Sequence, residues 1–219
     1  MDLWVFIGLA LIVVGFVYML AKKKTLKYPE VLIFGPVNSG KTRLFYMLSE
    51  GEMMNTVSSM KPNSAVINVK DKMVSVIDYP GHHFYYQQLV SKAPTCLGMI
   101  FMLDSTDKQS FKKAAEELYE LMSLRYPKEI LIFCNKQDQP FAKKILMIES
   151  ELSTEIERLK VVKENDISDI KREKVGKANE RFEFSHMQDF NIKVEFAEGS
   201  LVKNDIQEIK SFIERVSKA

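Results

Sequence analysis

The sequence predicts an α/β fold: a doubly wound, mostly parallel sheet with one antiparallel hairpin at its edge, and a separate apolar helix near the N-terminus. Three observations carry this prediction. Short apolar runs alternate with segments of helical period along most of the chain. Two of the runs are apolar almost throughout, which is typical of parallel strands that helices cover on both faces. Near the N-terminus, 19 consecutive residues carry no charge.

The uncharged stretch extends from Leu3 to Ala21 and predicts a transmembrane helix. At 1.5 Å per residue it would be roughly 28 Å long, which is enough to span a bilayer core. Trp4 and Tyr18 lie near its ends, where aromatic rings favour the membrane interface. A cleaved signal peptide would need basic residues before the apolar run, and a buried core helix would not be followed by three lysines. We therefore expect a membrane span.

The charges beside the span predict its direction. Asp2 precedes it, whereas four of the next six residues are lysines, and positively charged flanks stay in the cytosol. We expect a lumenal or outer N-terminus, an anchor over residues 1–21, a basic linker over 22–29 and one cytosolic domain over 30–219. The whole chain carries 31 basic and 29 acidic residues, a balance that gives no general field for nucleic acid.

The cytosolic domain is predicted to begin with a strand at Glu30–Phe34 and a helix at Lys41–Ser49. The further predicted elements are strands at 65–69 and 73–77, which form the hairpin, strands at 97–103, 129–134 and 193–196, and helices over 109–125, much of 141–160, and 202–217. The charged stretch 164–180 predicts a mobile, solvated loop. In a doubly wound fold the ligand lies at the carboxyl ends of the strands.

The segment between the first strand and the first helix, GPVNSGKT, matches the pattern G-x-x-x-x-G-K-[ST] in the context that this pattern requires. Such a loop wraps phosphates with backbone N–H groups, and the following helix adds the positive end of its dipole. We expect Lys41 to reach the β- and γ-phosphates and the Thr42 hydroxyl to bind Mg²⁺. The predicted nucleotide-binding residues of this segment are Gly35, Asn38, Ser39, Gly40, Lys41 and Thr42.

Directly after the apolar run ILIFC come Asn135, Lys136, Gln137 and Asp138. Guanine has N1–H and N2–H₂ donors on one edge, and an ionised Asp138 can accept both. Adenine has no such pair and would leave the carboxylate poorly paired. We expect Lys136 to pack along the base and Asn135 to tie this loop to the phosphate loop. A later turn that ends at Ser200 would bring backbone N–H groups near the base oxygen.

Two further segments predict the parts that respond to the third phosphate. The string DYPGH fits D-x-x-G, so Asp78 would hold Mg²⁺ through water and the Gly81 N–H would contact the γ-phosphate. Upstream, a hydroxyl in the stretch NTVSSMKPN would complete the Mg²⁺ shell. The distance to the hairpin favours Ser59, with Thr56 and Ser58 as alternatives.

Together these residues resemble the small GTPases over residues 30–219, and within them the family of the beta subunit of the signal recognition particle receptor. The likeness is carried by GPVNSGKT, DYPGH, CNKQDQPFAKK and VEFAEGS. It implies a P-loop small GTPase fold of Arf-like type that binds GTP or GDP with Mg²⁺. It also implies residence in the endoplasmic reticulum membrane, a heterodimer with the receptor's alpha subunit, and a role in protein targeting. The ribosome and the translocon are further candidate partners, and no direct binding of nucleic acid is expected.

Two positions depart from the pattern of Ras-like GTPases. His82 stands where those proteins carry a glutamine that orients the attacking water, and Val37 stands where they carry glycine. A branched Val37 would crowd an arginine finger supplied in trans, and His82 would either position water or face a partner. We therefore expect slow intrinsic hydrolysis, with His82 as the candidate catalytic residue.

Three functions compete on this evidence. A nucleotide-gated assembly module would bind the alpha subunit through the aromatic residues after His82, and only with GTP bound. An Arf- or Sar-like cycling GTPase of membrane traffic would have to leave the membrane with GDP, which a transmembrane anchor prevents. An ATP-dependent enzyme is disfavoured by Asp138. The first of these is the preferred interpretation.

Overall fold

The structure is a computed structural model that describes residues 28–51, 61–81, 83–164, 173–177 and 180–218. Its strands are β1 (Glu30–Phe34), β2 (Asn63–Val69), β3 (Lys72–Asp78), β4 (Gly98–Asp104), β5 (Glu129–Asn135) and β6 (Lys193–Glu198). Its α-helices are α1 (Lys41–Ser49), α2 (Tyr86–Lys92), α3 (Lys108–Ser123), α4 (Ile145–Glu164) and α5 (Gln207–Lys218). Short 3₁₀ helices cover His83–Tyr85, Ala93–Thr95 and Phe184–Phe190.

The strands form one sheet in the order β2-β3-β1-β4-β5-β6. All neighbours are parallel except β2 and β3, which are antiparallel. The predicted mostly parallel sheet with one antiparallel hairpin is thus confirmed. Lys70 and Asp71 make the hairpin turn with φ angles of 44° and 71°, the left-handed conformation that a two-residue turn of this kind needs at both positions.

Helices pack on both faces of the sheet. One face buries Phe101 against Leu118 of α3 and Leu152 of α4. The opposite face buries side chains of the same strands against Leu44 of α1 and Phe212 of α5. Because both faces are covered, every residue of β4 is buried, which explains its almost uniformly apolar sequence. The parallel strands all end at one edge of the sheet, and the motif residues lie along that edge.

Two helices begin later than the sequence predicted, and one was not predicted. Residues 141–144 form a loop before α4, because the Lys143 N–H bonds to the Ser105 carbonyl instead of continuing a helix. Before α5, the Ser200 carbonyl accepts from the N–H groups of Lys203 and Asp205 and closes a turn. Helix α2 has seven residues, too few for a clear periodic signal.

The prediction of a mobile, solvated loop over 164–180 is wrong for the part of it that the structure describes. Val175 is completely buried in the core. Lys160, a buried residue of α4, donates from Nζ to the carbonyls of Lys177 and Glu180 at 2.9 and 2.6 Å. The charged composition gave no sign that Val175 is buried or that Lys160 of α4 donates hydrogen bonds to two carbonyl groups of this segment.

Within the described ranges, no helix is long and apolar enough to cross a membrane. The span predicted from Leu3 to Ala21, and the linker as far as residue 27, lie outside those ranges. The anchor and the domain boundaries drawn from it therefore stay predictions.

Candidate functional site

The loop between β1 and α1 curves back on itself to form a cradle. Asn38 is exposed and has φ 69°, and Gly40 has φ 102°, both in the left-handed region. A Cβ at Gly40 would come within 2.5 Å of Asn135 Nδ2, so a side chain there would collide with the neighbouring loop. Gly40 precedes α1 without a side-chain cap, which leaves the first N–H groups of the helix facing the cradle. Gly35, which begins the cradle, is buried.

Lys41, at the start of α1, is a buried cation. Its Nζ donates to the Pro36 carbonyl at 2.6 Å. Burial lowers its pKa to about 8, and the attraction of Asp78 and Glu117 only partly offsets that effect. The ammonium therefore lies in the cradle with less negative charge around it than it needs. A phosphate group would supply that charge.

Thr42 and Asp78 meet across the site, although 36 residues separate them in the chain. The Thr42 hydroxyl donates to Asp78 Oδ2 at 2.8 Å. Asp78 ends β3 and is fully buried. The structure thus brings together two of the three residues predicted to bind metal, one hydroxyl and one carboxylate.

Gly81, three residues after Asp78, lies directly against the cradle. A Cβ at this position would be 2.7 Å from the Gly35 carbonyl oxygen and 2.9 Å from the Val37 nitrogen. Only glycine allows such a close approach of two backbones. Lys113 of α3 donates to the Gly81 carbonyl at 3.4 Å. The D-x-x-G segment therefore borders the phosphate cradle.

Asn135 joins three loops. Its Nδ2 donates to the Ser39 carbonyl at 2.9 Å, and its Oδ1 accepts from the Leu201 N–H at 3.2 Å. Ser39 belongs to the cradle and Leu201 follows β6. Asn135 itself ends β5 and is buried. One amide thus connects the predicted phosphate loop, the predicted base loop and the loop after β6.

Lys136 has φ 67°, and its Nζ forms an ion pair with Asp104 at 2.5 Å. Burial would raise the pKa of Asp104, but hydrogen bonds from Lys136 and Thr106 outweigh this and leave the pKa below its ordinary value. Asp104 therefore remains a carboxylate and orients the lysine stem beside the base loop. The next residue, Gln137, donates to the Ser105 hydroxyl at 2.9 Å.

Asp138 accepts a hydrogen bond from the Ser200 hydroxyl at 2.5 Å. This bond is the main cause of a lowered pKa for Asp138, which therefore stays ionised at neutral pH. Ser200 is buried, so it fixes the position of a carboxylate that is itself only partly covered. The contact differs from the predicted role of the turn, which concerned backbone N–H groups.

Some predicted residues lie outside the described ranges: His82, Ser59 and its alternatives Thr56 and Ser58. Other residues that contact these loops were not predicted from the sequence, namely Asp104, Ser105 and Lys113. Asp104 and Ser105 had a usable signal, since they are polar residues that end the apolar run of β4 at the edge where the motifs converge. Lys113 had none, because a lysine on a charged helix face is ordinary.

Comparison with known proteins identifies the family. The sequence profile of a family described as signal recognition particle receptor beta subunit matches residues 26–191 of this chain. The chain belongs to this family. The beta subunit of the receptor from Mus musculus is 31% identical over 208 residues, which cover 85% of this chain and 76% of the mouse protein.

Solved structures agree with the assignment to the beta-subunit family. The mammalian receptor superposes with a TM-score of 0.75 at 31% identity, covering 85% of this chain and 99% of its own. From Chaetomium thermophilum, a beta subunit solved with GTP and SRX superposes with a TM-score of 0.68 at 21% identity, over 86% of this chain and 98% of that one. A second beta subunit from the same organism, with GDP and magnesium, superposes with a TM-score of 0.67 at 23% identity, over 88% of this chain and 99% of that one. The predicted α/β small GTPase fold is therefore confirmed.

Proposed function

We propose that this chain is a membrane-fixed GTP switch that binds the receptor's alpha subunit when GTP is bound and so serves co-translational targeting to the endoplasmic reticulum. The observation that carries the proposal is the double hydrogen bond of Asn135, which joins a phosphate cradle to a loop suited to guanine. The mammalian receptor structure and the fungal complex with GTP and SRX support it, because they belong to proteins of the same fold.

Phosphate binding would rest on Lys41. A buried lysine with a pKa of about 8 lacks compensating negative charge, and a phosphate anion would supply that charge. The uncapped N–H groups at the start of α1 add donors aimed at the same place. Ser39 and Gly40 keep these groups in position, since they pack against Asn135.

Mg²⁺ would bind at Thr42 and Asp78. Among the described residues, no cluster of three or more His, Cys, Asp or Glu side chains could hold a metal ion by itself. Mg²⁺ usually takes one or two protein ligands and completes its octahedral shell with phosphate oxygens and water. A hydroxyl and a carboxylate beside a phosphate cradle fit that requirement. When bound, the ion would neutralise phosphate charge, and Ser59 is the proposed additional ligand.

Guanine would be selected by Asp138. Its lowered pKa keeps the carboxylate ionised, as acceptance of two N–H groups from the base requires. The Ser200 hydroxyl orients it, and the Lys136 stem, held by Asp104, would cover the base. Guanine would thus pair the negative charge of Asp138, whereas adenine would leave that charge unpaired.

The alpha subunit would bind beside Gly81, at the aromatic residues that follow it. Tyr86 packs against Phe34 with ring centroids 6.2 Å apart, and Tyr85 is half-buried, so the fold uses both rings internally. Phe84 is 72% exposed. A large exposed ring on a segment that borders the third phosphate is well suited to a nucleotide-gated interface.

The membrane would lie on the opposite side of the domain. β1 begins at Glu30, at the edge of the sheet away from the nucleotide site, because the parallel strands carry the site at their carboxyl ends. A linker over residues 22–29 reaches at most roughly 30 Å when fully extended. The helix from Leu3 to Ala21 would thus hold the domain close to the membrane with its nucleotide face turned to the cytosol.

Hydrolysis would be slow. Val37 is exposed at the cradle, where its branched side chain would crowd a group that approaches the phosphates. We expect single-turnover GTP hydrolysis by the isolated protein to be much slower than GTP dissociation. Rapid hydrolysis that His82→Ala abolishes would show instead that the chain is a self-sufficient enzyme.

The proposed function is tested by affinity capture from solubilised endoplasmic reticulum membranes. The full-length protein is loaded with GDP or with a non-hydrolysable GTP analogue, and the bound chains are identified. We expect the alpha subunit with the analogue only, and a loss of about 30-fold in the Phe84→Ala variant.

Phe141→Ala is the matched control, since Phe141 is 84% exposed but belongs to the base side of the domain. This variant should capture the alpha subunit like the wild type. Equal capture with GDP and with the analogue would contradict nucleotide gating.

A further inference from the structure

Beside the nucleotide site, α3 carries a lysine and a glutamate one turn apart that no step above uses. Lys113 donates from Nζ to the Gly81 carbonyl at 3.4 Å. The same Nζ lies 3.9 Å from a carboxylate oxygen of Glu117. The Lys113 side chain is 50% exposed, whereas that of Glu117 is 13% exposed. A half-exposed lysine thus stands between a buried carboxyl group and the backbone of the D-x-x-G segment.

Glu117 is held in an unfavourable place for a charged residue. Its Oε2 is buried and has no hydrogen-bond partner in the described part of the chain. Burial raises its pKa to about 7, against the attraction of Lys113 and Lys41. The pKa of Lys41 in turn responds to Glu117 and Lys113. Both residues of the α3 pair therefore lie within electrostatic range of the phosphate cradle.

The Gly81 carbonyl is an effective point for a restraint. Glycine has more backbone freedom than any other residue, so the peptide at this position loses much entropy when it is fixed. Its contact with Gly35 and Val37 shows how close the two backbones come. A cationic donor from α3 thus restrains a peptide that packs against the cradle.

We propose that Lys113, oriented by Glu117, is a positioning residue that holds Gly81 against the phosphate cradle and so favours nucleoside triphosphates over diphosphates. The inference rests on the proposed function, in which the Gly81 N–H contacts the third phosphate. A diphosphate has no group at that position. Restraint of Gly81 therefore contributes to binding of the triphosphate alone.

The test compares two dissociation constants in the full-length protein, reconstituted in detergent. A fluorescent guanine nucleotide is competed with GDP and with a non-hydrolysable GTP analogue. In Lys113→Met, which keeps the aliphatic stem and removes the charge, we expect about threefold to tenfold weaker binding of the analogue and unchanged binding of GDP. Lys113→Arg should restore most of the preference. Lys112→Met, an exposed neighbour on the same helix, should leave both constants unchanged.

Glu117 is tested by its dependence on Lys113. Glu117→Gln should shift the ratio in the same direction but less, because Lys113 remains and loses only its orienting partner. In the Lys113→Met background the same substitution should add nothing to the shift in the ratio. An independent, additive effect would show that Glu117 does not act through Lys113.

Other outcomes overturn the inference in distinguishable ways. Equal weakening of both nucleotides in Lys113→Met would indicate a merely structural role. Tighter binding of the analogue would mean that Lys113 holds Gly81 in a position that opposes the triphosphate, and unchanged constants would mean that the contact has no effect. If the wild type binds neither guanine nucleotide, the proposed function itself fails.

Discussion

Lys41 of α1 and Glu117 of α3 interact electrostatically beside the phosphate cradle, and burial shifts both pKa values toward neutrality. It lowers the pKa of Lys41 to about 8 and raises that of Glu117 to about 7. Each residue is therefore less stable in its charged form than it would be in water. For Lys41, the negative charge of a bound phosphate would compensate this loss, whereas it would not stabilise the charged form of Glu117.

Glu117 should consequently reduce stability at neutral pH. Its pKa is near 4.5 in an unfolded chain and about 7 in the fold, so between these values only the unfolded state loses the proton. Stability therefore falls as pH rises from about 4.5 to 7. Glu117→Gln should raise the free energy of unfolding at pH 8 by on the order of 2 kcal/mol, and by little near pH 4.5.

Urea unfolding of the nucleotide-free protein at the two pH values checks this. The control is Glu116→Gln on the exposed side of the same helix, which should change the free energy of unfolding at pH 8 by much less than Glu117→Gln does. A Glu117→Gln variant that is less stable than wild type at pH 8 would refute the argument.

Asp138 is the residue on which base selection depends. Asp138→Asn replaces an acceptor pair with one acceptor and one donor, which conflicts with the guanine N–H groups and suits the C2 carbonyl of xanthine. We expect GTP affinity to fall about 100-fold and xanthosine triphosphate to become the preferred ligand. Competition binding with GTP and with xanthosine triphosphate measures the two affinities. The control is Gln139→Ala, which removes a side chain that donates to Asp138 at 3.2 Å and should change GTP affinity little. A retained preference for GTP in Asp138→Asn would contradict the assignment of Asp138 to the base.

At the scale of elements, the site is held together by bonds between loops that follow different strands. The cradle follows β1, the base loop follows β5, and Ser200 and Leu201 follow β6. Asn135 connects all three, and Ser200 also bonds to Asp138. The phosphate and base halves of the site therefore form one hydrogen-bonded unit.

Asn135→Ala should break this unit. It leaves the Ser39 carbonyl and the Leu201 N–H without their partner in a buried place, which costs about 2–4 kcal/mol of stability. Because the cradle and the base loop are both released, GTP and GDP should weaken by similar factors. Thermal unfolding and nucleotide competition measure the two effects. Selective loss of GTP alone would show that Asn135 acts through the third phosphate and not as a link between loops.

At the scale of the whole molecule, the two ends of the parallel strands have different roles. The chain enters β1 at one end of the parallel strands, and the cradle, the Thr42–Asp78 pair and the loop that begins at Asn135 lie at the other end. Helices cover both faces of the sheet between these two ends. In the proposed function, a switch at the end that carries the site would exchange partners while the predicted anchor stays in the membrane.

The direction of the anchor gives a test for the whole chain. An N-terminal extension that carries an Asn-X-Thr acceptor should be glycosylated in endoplasmic reticulum membranes, because the N-terminus is expected to be lumenal. The same acceptor inserted at the hairpin turn, between Lys70 and Asp71, should remain unmodified. A gel shift reversed by endoglycosidase reports the modification. Glycosylation at the hairpin alone would show that the topology is the opposite of the one proposed.

Several features of this protein follow from the sequence by itself. GPVNSGKT, D-x-x-G and NKQD are each complete within a few residues, so their spacing alone predicted a phosphate loop, a metal carboxylate and a base loop. The apolar runs predicted the alternating strands and helices, because a buried parallel strand must be apolar on both faces.

Only the tertiary structure decided which distant residues support those motifs. Asp104 beside Lys136, Ser200 beside Asp138, and Lys113 beside Gly81 are each more than 30 residues apart in the chain. Val175 likewise lies in a segment whose composition indicated solvent, and the fold buries it. Such pairings depend on how strands and helices are packed, and no local pattern records them. The sequence therefore determined the chemistry at the edge of the sheet, and the packing determined which groups orient it.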